Sequence, residues 1–396
     1  MKISKIITFL RVLFKSKYNF KKIPKKKLII FDGIKTYRLK SVVKGLKYHV
    51  LQTRFHRVNE IFISKEIIFS IFKNFKIGIF NSYLIGLIDE INPKVIFTFI
   101  DNSHRFSKFS QLRGDKYKFV ALQNGARYEH KITNLLKKKR KINFSKFSIP
   151  FYLCFGQHEI NDFKTTSQNI DKFKIVGSLN LSNFLLSQVK NKKTTHKKDY
   201  DILFMPDVNC WDKMVEELKY PLAEGIIKLT KFVIKFVKKN NFKIKIAARN
   251  AYNDFEEERD FYKNNLEKHE YNFLMKNIFY RKPGHHTYQI MQKSKVVVGT
   301  MSTMLRENLA LRGKTFACNF TKADIYDFPL KGICFSKNGT YSDFQKKLNK
   351  IYKISYKKYL YGINKNINYV CANNFKKSDQ TPKLVRKELD LLINKN

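Results

Sequence analysis

Tryptophan (1), proline (8) and glycine (15) are scarce in this 396-residue chain. Lysine, asparagine, isoleucine, phenylalanine and tyrosine abound instead, the skew expected of an AT-rich genome. Acidic residues are few as well: 32 Asp and Glu face 79 Lys and Arg, a formal net charge of +47. Such a field attracts anions of every kind, from nucleic acid to acidic headgroups and phosphorylated small molecules. Charge alone therefore names no partner. Cysteine is sparse. Cys154, Cys210, Cys318, Cys334 and Cys371 are odd in number, widely spaced and without a CxxC. That excludes a disulfide framework and a cysteine zinc site, and it is the pattern of reduced thiols in the cytoplasm. No apolar run is long and charge-free enough to span a bilayer. No GxGxxG follows a strand and no GxxxxGK[ST] occurs, so dinucleotide and P-loop readings lack their phosphate cradle. No H-x-x-x-H or cysteine cluster points to a metal, and no metal or cofactor is expected. With no RRM, KH or OB signature, nucleic acid is not the expected partner either.

What is present suffices for sizeable cores: 43% of the residues are apolar and 15% aromatic. Ile3, Ile6, Ile7, Leu10, Leu13 and Phe14 recur at helical spacing, with Lys2, Lys5, Arg11 and Lys15 between them. Residues 1–20 thus read as a basic amphipathic helix. It lies either on an anionic membrane or on the protein's own surface. The apolar stretch 67–91 reads as one core helix.

Strand and helix then alternate, twice over. Apolar strands are predicted at 27–31, 48–52, 61–63, 94–101, 117–125, 151–156 and 173–178, and after a lysine-rich stretch at 201–207, 241–250, 295–300, 314–320 and 332–335. Most end in Asp, Asn, Gly or Ser, and ligands bind at such carboxyl ends in open α/β sheets. The expected fold is α/β, with two Rossmann-like domains facing a central crevice. The first domain is placed at 21–186, the linker at 187–199 and the second domain, with closing helices at 341–352 and 381–394, at 200–396.

The segment 294–321 carries the clearest chemistry. A buried strand ends at Gly299-Thr300, a helix begins at Ser302 or Thr303, and Gly313 stops it. A turn of small hydroxyl residues at a helix N-terminus suits a phosphate. Thr303, Arg306 and Glu307 share a face opposite Met301, Met304, Leu305 and Leu309. Glu307 is placed to accept a hydrogen bond from a sugar hydroxyl; the plainer alternative is a Ser/Thr cap and a surface glutamate. Asp199-Tyr200-Asp201 precedes a strand instead of following one and is not taken as a metal-diphosphate motif.

Several segments together resemble the bacterial surface carbohydrate biosynthesis family, GT-B-like proteins distantly similar to CDP-glycerol glycerophosphotransferases. They are KLIIFDG (27–33), NPKVIFTFIDN (92–102), FVALQNGARYE (119–129), FYLCFGQHEIN (151–161), IVGSLNLSNF (175–184) and 294–321, in order along most of the chain. The resemblance implies transfer of a sugar or polyol-phosphate from a nucleotide-linked donor to a glycan or lipid-linked acceptor, at the cytoplasmic face of a membrane. It places Gly299, Thr300, Ser302, Thr303 and Arg306 at the donor phosphates, Glu307 on a ribose or on the transferred group, and Arg249, with His285 and His286, beside the leaving diphosphate. Gln123, Asn124 and Gly125 stand where relatives often carry Gln-His-Gly. An amide in place of the imidazole cannot take a proton at neutral pH. Asp101 and His104, with Asp32 behind them, are the better candidates for a base. The alternatives are a nucleotide-sugar epimerase of the same fold and a catalytically inactive member.

Overall fold

The computed structural model describes residues 3–34, 36–127, 147–166, 168–190, 198–206, 216–251, 255–282, 284–321, 323–372 and 380–394. Cys210 and residues 191–197 of the expected linker lie outside them. The first half contains β1 (Lys17–Asn19), β2 (Leu28–Phe31), β3 (Tyr48–Leu51), β4 (Glu60–Phe62), β5 (Val95–Thr98), β6 (Lys118–Leu122), β7 (Ser148–Cys154) and β8 (Asn169–Ile175). Six of them form one parallel sheet in the order β3-β2-β5-β6-β7-β8, and β1 pairs with β4 in a separate parallel ribbon. The second half contributes β9 (Tyr200–Met205), β10 (Ile244–Ala247), β11 (Ile278–Phe279), β12 (Ser294–Gly299), β13 (Lys314–Asn319) and β14 (Phe335–Lys337). These form a second six-stranded parallel sheet, ordered β11-β10-β9-β12-β13-β14.

The unbroken apolar strands follow from burial of both sheet faces. Along β2 the side chains alternate: Leu28 and Ile30 enter one core with Val95 and Phe97, while Ile29 and Phe31 enter another with Ile85 and Phe106. The second sheet packs into a single large core around the helix Glu216–Asn240.

Three expectations change. The stretch 67–91 is not one core helix but two, Lys65–Lys73 and Ile79–Ile91, broken at Gly78 with a φ of 93°. Gly86 lets the two pack closely, since a Cβ there would sit 3.0 Å from the Ile67 Cα. The expected linker at 187–199 begins inside a helix, which runs from Leu179 to Lys190. The last helix, Gln380–Asn394, does not cap the second sheet. Val385, Leu389 and Ile393 are buried with Leu28, Val95 and Val120 of the first sheet, and Thr381 Oγ1 donates to the Val176 carbonyl at 2.7 Å. The apolar face of the first sheet opposite Ile29 and Phe31 needs this cover, and the chain returns to supply it.

Candidate functional site at the seam between the sheets

The carboxyl ends of β6 and β12 meet. The helix Thr303–Ala310 starts after β12, with Ser302 as its N-cap accepting from the Met304 amide. Its polar residues do not face solvent, as the spacing alone allowed; Leu305 through Ala310 are all buried. Asn308 stays within the second half, donating to the Lys314 carbonyl and the Thr315 hydroxyl, whereas Thr303, Arg306 and Glu307 reach the first half. Thr303 Oγ1 accepts from the Ala126 amide at 2.7 Å. The Arg306 guanidinium pairs with Glu159 in the helix Gln157–Thr165, the two being 1% and 3% exposed. Glu307 accepts from the Ser178 hydroxyl.

Arg306 was expected at the donor phosphates, but the structure pairs it with Glu159 instead. Its charge is buried and neutralised within the protein, tying one half to the other. Of the three hydroxyls expected there, Ser302 is occupied by its cap and Thr303 by Ala126. Thr300, 1% exposed, keeps its Oγ1 without a hydrogen-bond partner. Gly299 has a packing reason: a Cβ there would lie 2.6 Å from the Met205 carbonyl. Gly299→Ala should therefore cost about 1–3 kcal/mol in urea denaturation, the usual penalty for forcing atoms into a filled core.

Glu307 is the most perturbed carboxyl at the seam. Burial pushes its pKa up to about 7, against the hydrogen bonds from Ser178 and Tyr288 and the positive fields of Arg38 and Arg281. Arg38, in the turn after β2, donates to Asn180 Oδ1 at 3.0 Å and to the Tyr37 hydroxyl at 3.1 Å. Arg281 follows β11, and its amide donates to the Asn250 carbonyl at 3.2 Å, next to Arg249. Its own pKa is lowered, first by desolvation and then by the nearby charge of Arg38, with Arg249 adding to it. Neither Arg38 nor Arg281 forms an ion pair among the described residues. The end of β10 is held by the buried Glu258 carboxylate, which accepts from the Arg249 and Asn250 amides.

His285 joins this cluster. Its ring lies against Phe184 and Tyr288, with centroids 5.6 and 6.2 Å away, and burial and then Arg38 lower its pKa. His286 does not join; its ring packs edge-on to Phe279, and burial, Lys282 and Lys245 lower its pKa.

The residues expected to supply a base are placed otherwise. Asp101, 1% exposed, spends its carboxylate within the protein. It accepts two bonds from Arg127, one from the Tyr152 hydroxyl at 2.7 Å and one from the Asn124 amide at 3.1 Å. Asn124 completes the unit, donating from Nδ2 to the Phe99 carbonyl at 2.6 Å and accepting from Arg127 on Oδ1 at 2.7 Å. Gln123 is fully buried; it donates to the Gly125 carbonyl and accepts from the Phe155 amide. A Cβ on Gly125 would be 3.3 Å from Thr303 Oγ1. Asp101 thus spends its hydrogen bonds on holding the 123–127 loop against the second half. His104 is exposed on the first turn of the helix His104–Arg113, its ring against Phe147 before β7. Asp32 caps its own turn, accepting from the Ile34 amide at 3.0 Å with a φ of 77°, and lies 3.8 Å from Arg54.

Sequence reasoning missed Arg38, Arg281, Ser178, Tyr288, Arg127 and Glu159. Ser178, Arg127 and Glu159 sit inside the quoted family segments and were legible there as polar residues just past apolar strands. Arg38 and Arg281 lie in no such segment.

Two six-stranded parallel sheets whose carboxyl ends meet across a polar, arginine-lined seam define a GT-B-like fold. The chain belongs to the protein family described as "putative O-antigen biosynthesis protein", whose model matches residues 120–356. Among solved structures, it is similar to a UDP-GlcNAc 2-epimerase from Neisseria meningitidis bound to UDP-GlcNAc. The TM-score is 0.51 at 12% identity, over 92% of this chain and 99% of that one. A glycosyltransferase from Rickettsia africae matches with a TM-score of 0.48 at 12% identity, over 94% of this chain and 100% of that one. The wall teichoic acid polymerase TagF matches with 0.48 at 9% identity, over 99% of both chains. No curated protein sequence matches the chain.

Proposed function

We propose that the protein is a transferase of surface glycan assembly, moving a sugar or a polyol-phosphate from a nucleotide-linked donor to a glycan or lipid-linked acceptor. The observation that carries this reading is that Arg38 from one half and Arg281 from the other both act electrostatically on the buried carboxyl of Glu307, with Arg249 beside Arg281. The guanidinium groups of Arg38 and Arg281, which form no ion pair among the described residues, suit a diphosphate, which takes paired charge-assisted hydrogen bonds. Glu307 then accepts from a hydroxyl of the donor. As the donor bond breaks, negative charge gathers on the departing phosphate oxygen. Fixed guanidinium charge stabilises that state more than the ground state, which is what raises the rate. The 123–127 loop, held by Asp101, forms the acceptor side.

Calorimetric titration with the nucleoside diphosphates tests the reading. At least one should bind, and Arg281→Ala and Arg38→Ala should each weaken it by roughly ten- to a hundredfold, the worth of a hydrogen bond to a charged group, with melting unchanged. Equal affinity in both variants would remove the arginines from the site. Turnover of a nucleotide-sugar with no acceptor present would make the protein an epimerase instead.

A further inference from the structure

The described side chains of the helix Ile3–Lys15 divide between buried and exposed. Val12 is 5% exposed, whereas Ile7, Leu10 and Phe14, at i, i+3 and i+7, are 60%, 45% and 84% exposed. The helix Lys65–Lys73 behaves in the same way. Ile67 and Ser70 are buried against the neighbouring helix, while Phe69 and Phe72 are 68% and 75% exposed, and Phe75 continues the surface at 62%. Scattered exposed apolar residues are ordinary, but runs of exposed phenylalanine on two linked elements mark an interaction site.

The two elements are joined. The first helix leads into β1, β1 pairs with β4, and β4 leads into the second helix through Ser64. The Lys17 amide donates to the Asn59 carbonyl and the Ile63 amide to the Asn19 carbonyl, so the three-residue ribbon holds the two helices roughly 10 Å apart at its ends. Phe20, 73% exposed, sits at the end nearer the second helix.

The charge around this surface names the occupant. Residues 1–31 carry ten Lys and Arg and no Asp or Glu. Lys15, Lys17, Lys21 and Lys22 are exposed beside the first element, and Lys65, Lys73 and Lys76 beside the second; of the nearby acids Glu66 is exposed, while Glu60 and Glu90 are half-buried and bonded to Asn19 and Ser64. A second copy of this chain would bring like charges together. An anionic bilayer offers the opposite charge and, beneath it, an apolar layer for the rings. Among the described residues no helix is long and apolar enough to cross a membrane, so the contact is with the surface.

We propose that residues 7–20 and 68–79 form one docking surface for an anionic lipid bilayer, with the phenylalanines entering the headgroup–acyl boundary and the lysines meeting the phosphates. It extends the expectation for residues 1–20 to a second element and holds whatever the seam binds.

Co-sedimentation with vesicles tests it. The protein should bind vesicles of phosphatidylglycerol and phosphatidylcholine, ignore phosphatidylcholine alone, and release in high salt. Phe69→Ser/Phe72→Ser/Phe75→Ser should weaken binding by roughly tenfold for each ring removed. Phe14→Ser, on the other element, should weaken it separately and keeps the test open if the triple variant fails to fold. Unchanged binding in a folded triple variant would overturn the two-element surface, as would indifference to phosphatidylglycerol. So would a lipid-free dimer that these substitutions dissociate.

Discussion

Affinity for a nucleotide-linked donor should rise as pH is raised through about 7, and Glu307→Gln should abolish that rise. Burial holds the Glu307 proton to about pH 7, well above the ordinary glutamate range near 4.5. Only the carboxylate accepts fully from a donor hydroxyl, so below the titration point apparent affinity falls with the ionised fraction, roughly tenfold per pH unit at the limit. A donor whose phosphates are all esterified should be used, because a free terminal phosphate titrates near pH 6 and would mask the effect. Stability gives an independent reading. The folded state holds this proton more tightly than the unfolded chain, so raising the pH from 4.5 to 7 withdraws stability, up to about 3 kcal/mol at 1.36 per unit. Glu307→Gln should not lose it. Parallel stability curves for the two proteins across that window would show that Glu307 titrates normally.

Arg306→Ala or Glu159→Ala should each cost about 3–5 kcal/mol in urea denaturation, because either leaves its partner charged and buried. Replacing both with apolar residues, as in Glu159→Leu/Arg306→Met, should recover most of that loss, since a buried ion pair adds little net stability over packed hydrocarbon. The cycle also separates a structural role from a donor-binding one. If Arg306 served a phosphate, the double variant would recover stability and lose nucleotide; under the proposed function it should keep nucleotide. Single losses below about 1 kcal/mol would mean that the pair is wet.

The strands were legible because burial on both faces writes each as a short apolar run closed by a polar residue. Val95–Thr98 and Ser294–Gly299 are instances. The turn at Ser302 was legible through its capping residues. The break at Gly78 was not, since Phe75, Ile77 and Ile79 keep up the apolar pattern across it and exposure of an apolar residue leaves no local mark. The return of the last helix to the first sheet was hidden for a related reason: an amphipathic stripe says that a face is covered, not by what.

The candidate site was half visible. Glu307 and the 300–303 turn lie on one continuous segment. Arg38 and Arg281 stand more than two hundred residues apart in the chain, and in a sequence carrying 79 Lys and Arg nothing distinguishes them until the two sheets bring them to one carboxyl. Asp101 was read from its place after a strand. That place is the one observed, but its lone pairs go to Arg127, Tyr152 and Asn124, a matter of side-chain geometry beyond any spacing rule. The +47 charge divides in the same way. Much of it is composition, and the parts argued to act are local: guanidinium groups at the seam and lysines around exposed phenylalanines.

The central claim is that the seam seats a nucleoside diphosphate. A crystal structure of the protein soaked with the nucleoside diphosphate that binds best in calorimetry tests it most directly. The account predicts phosphate density within hydrogen-bond distance of Arg281 and Arg38, with a nucleotide hydroxyl on Glu307. Clear nucleotide density elsewhere on the protein, with Glu307 and both arginines untouched, would contradict it.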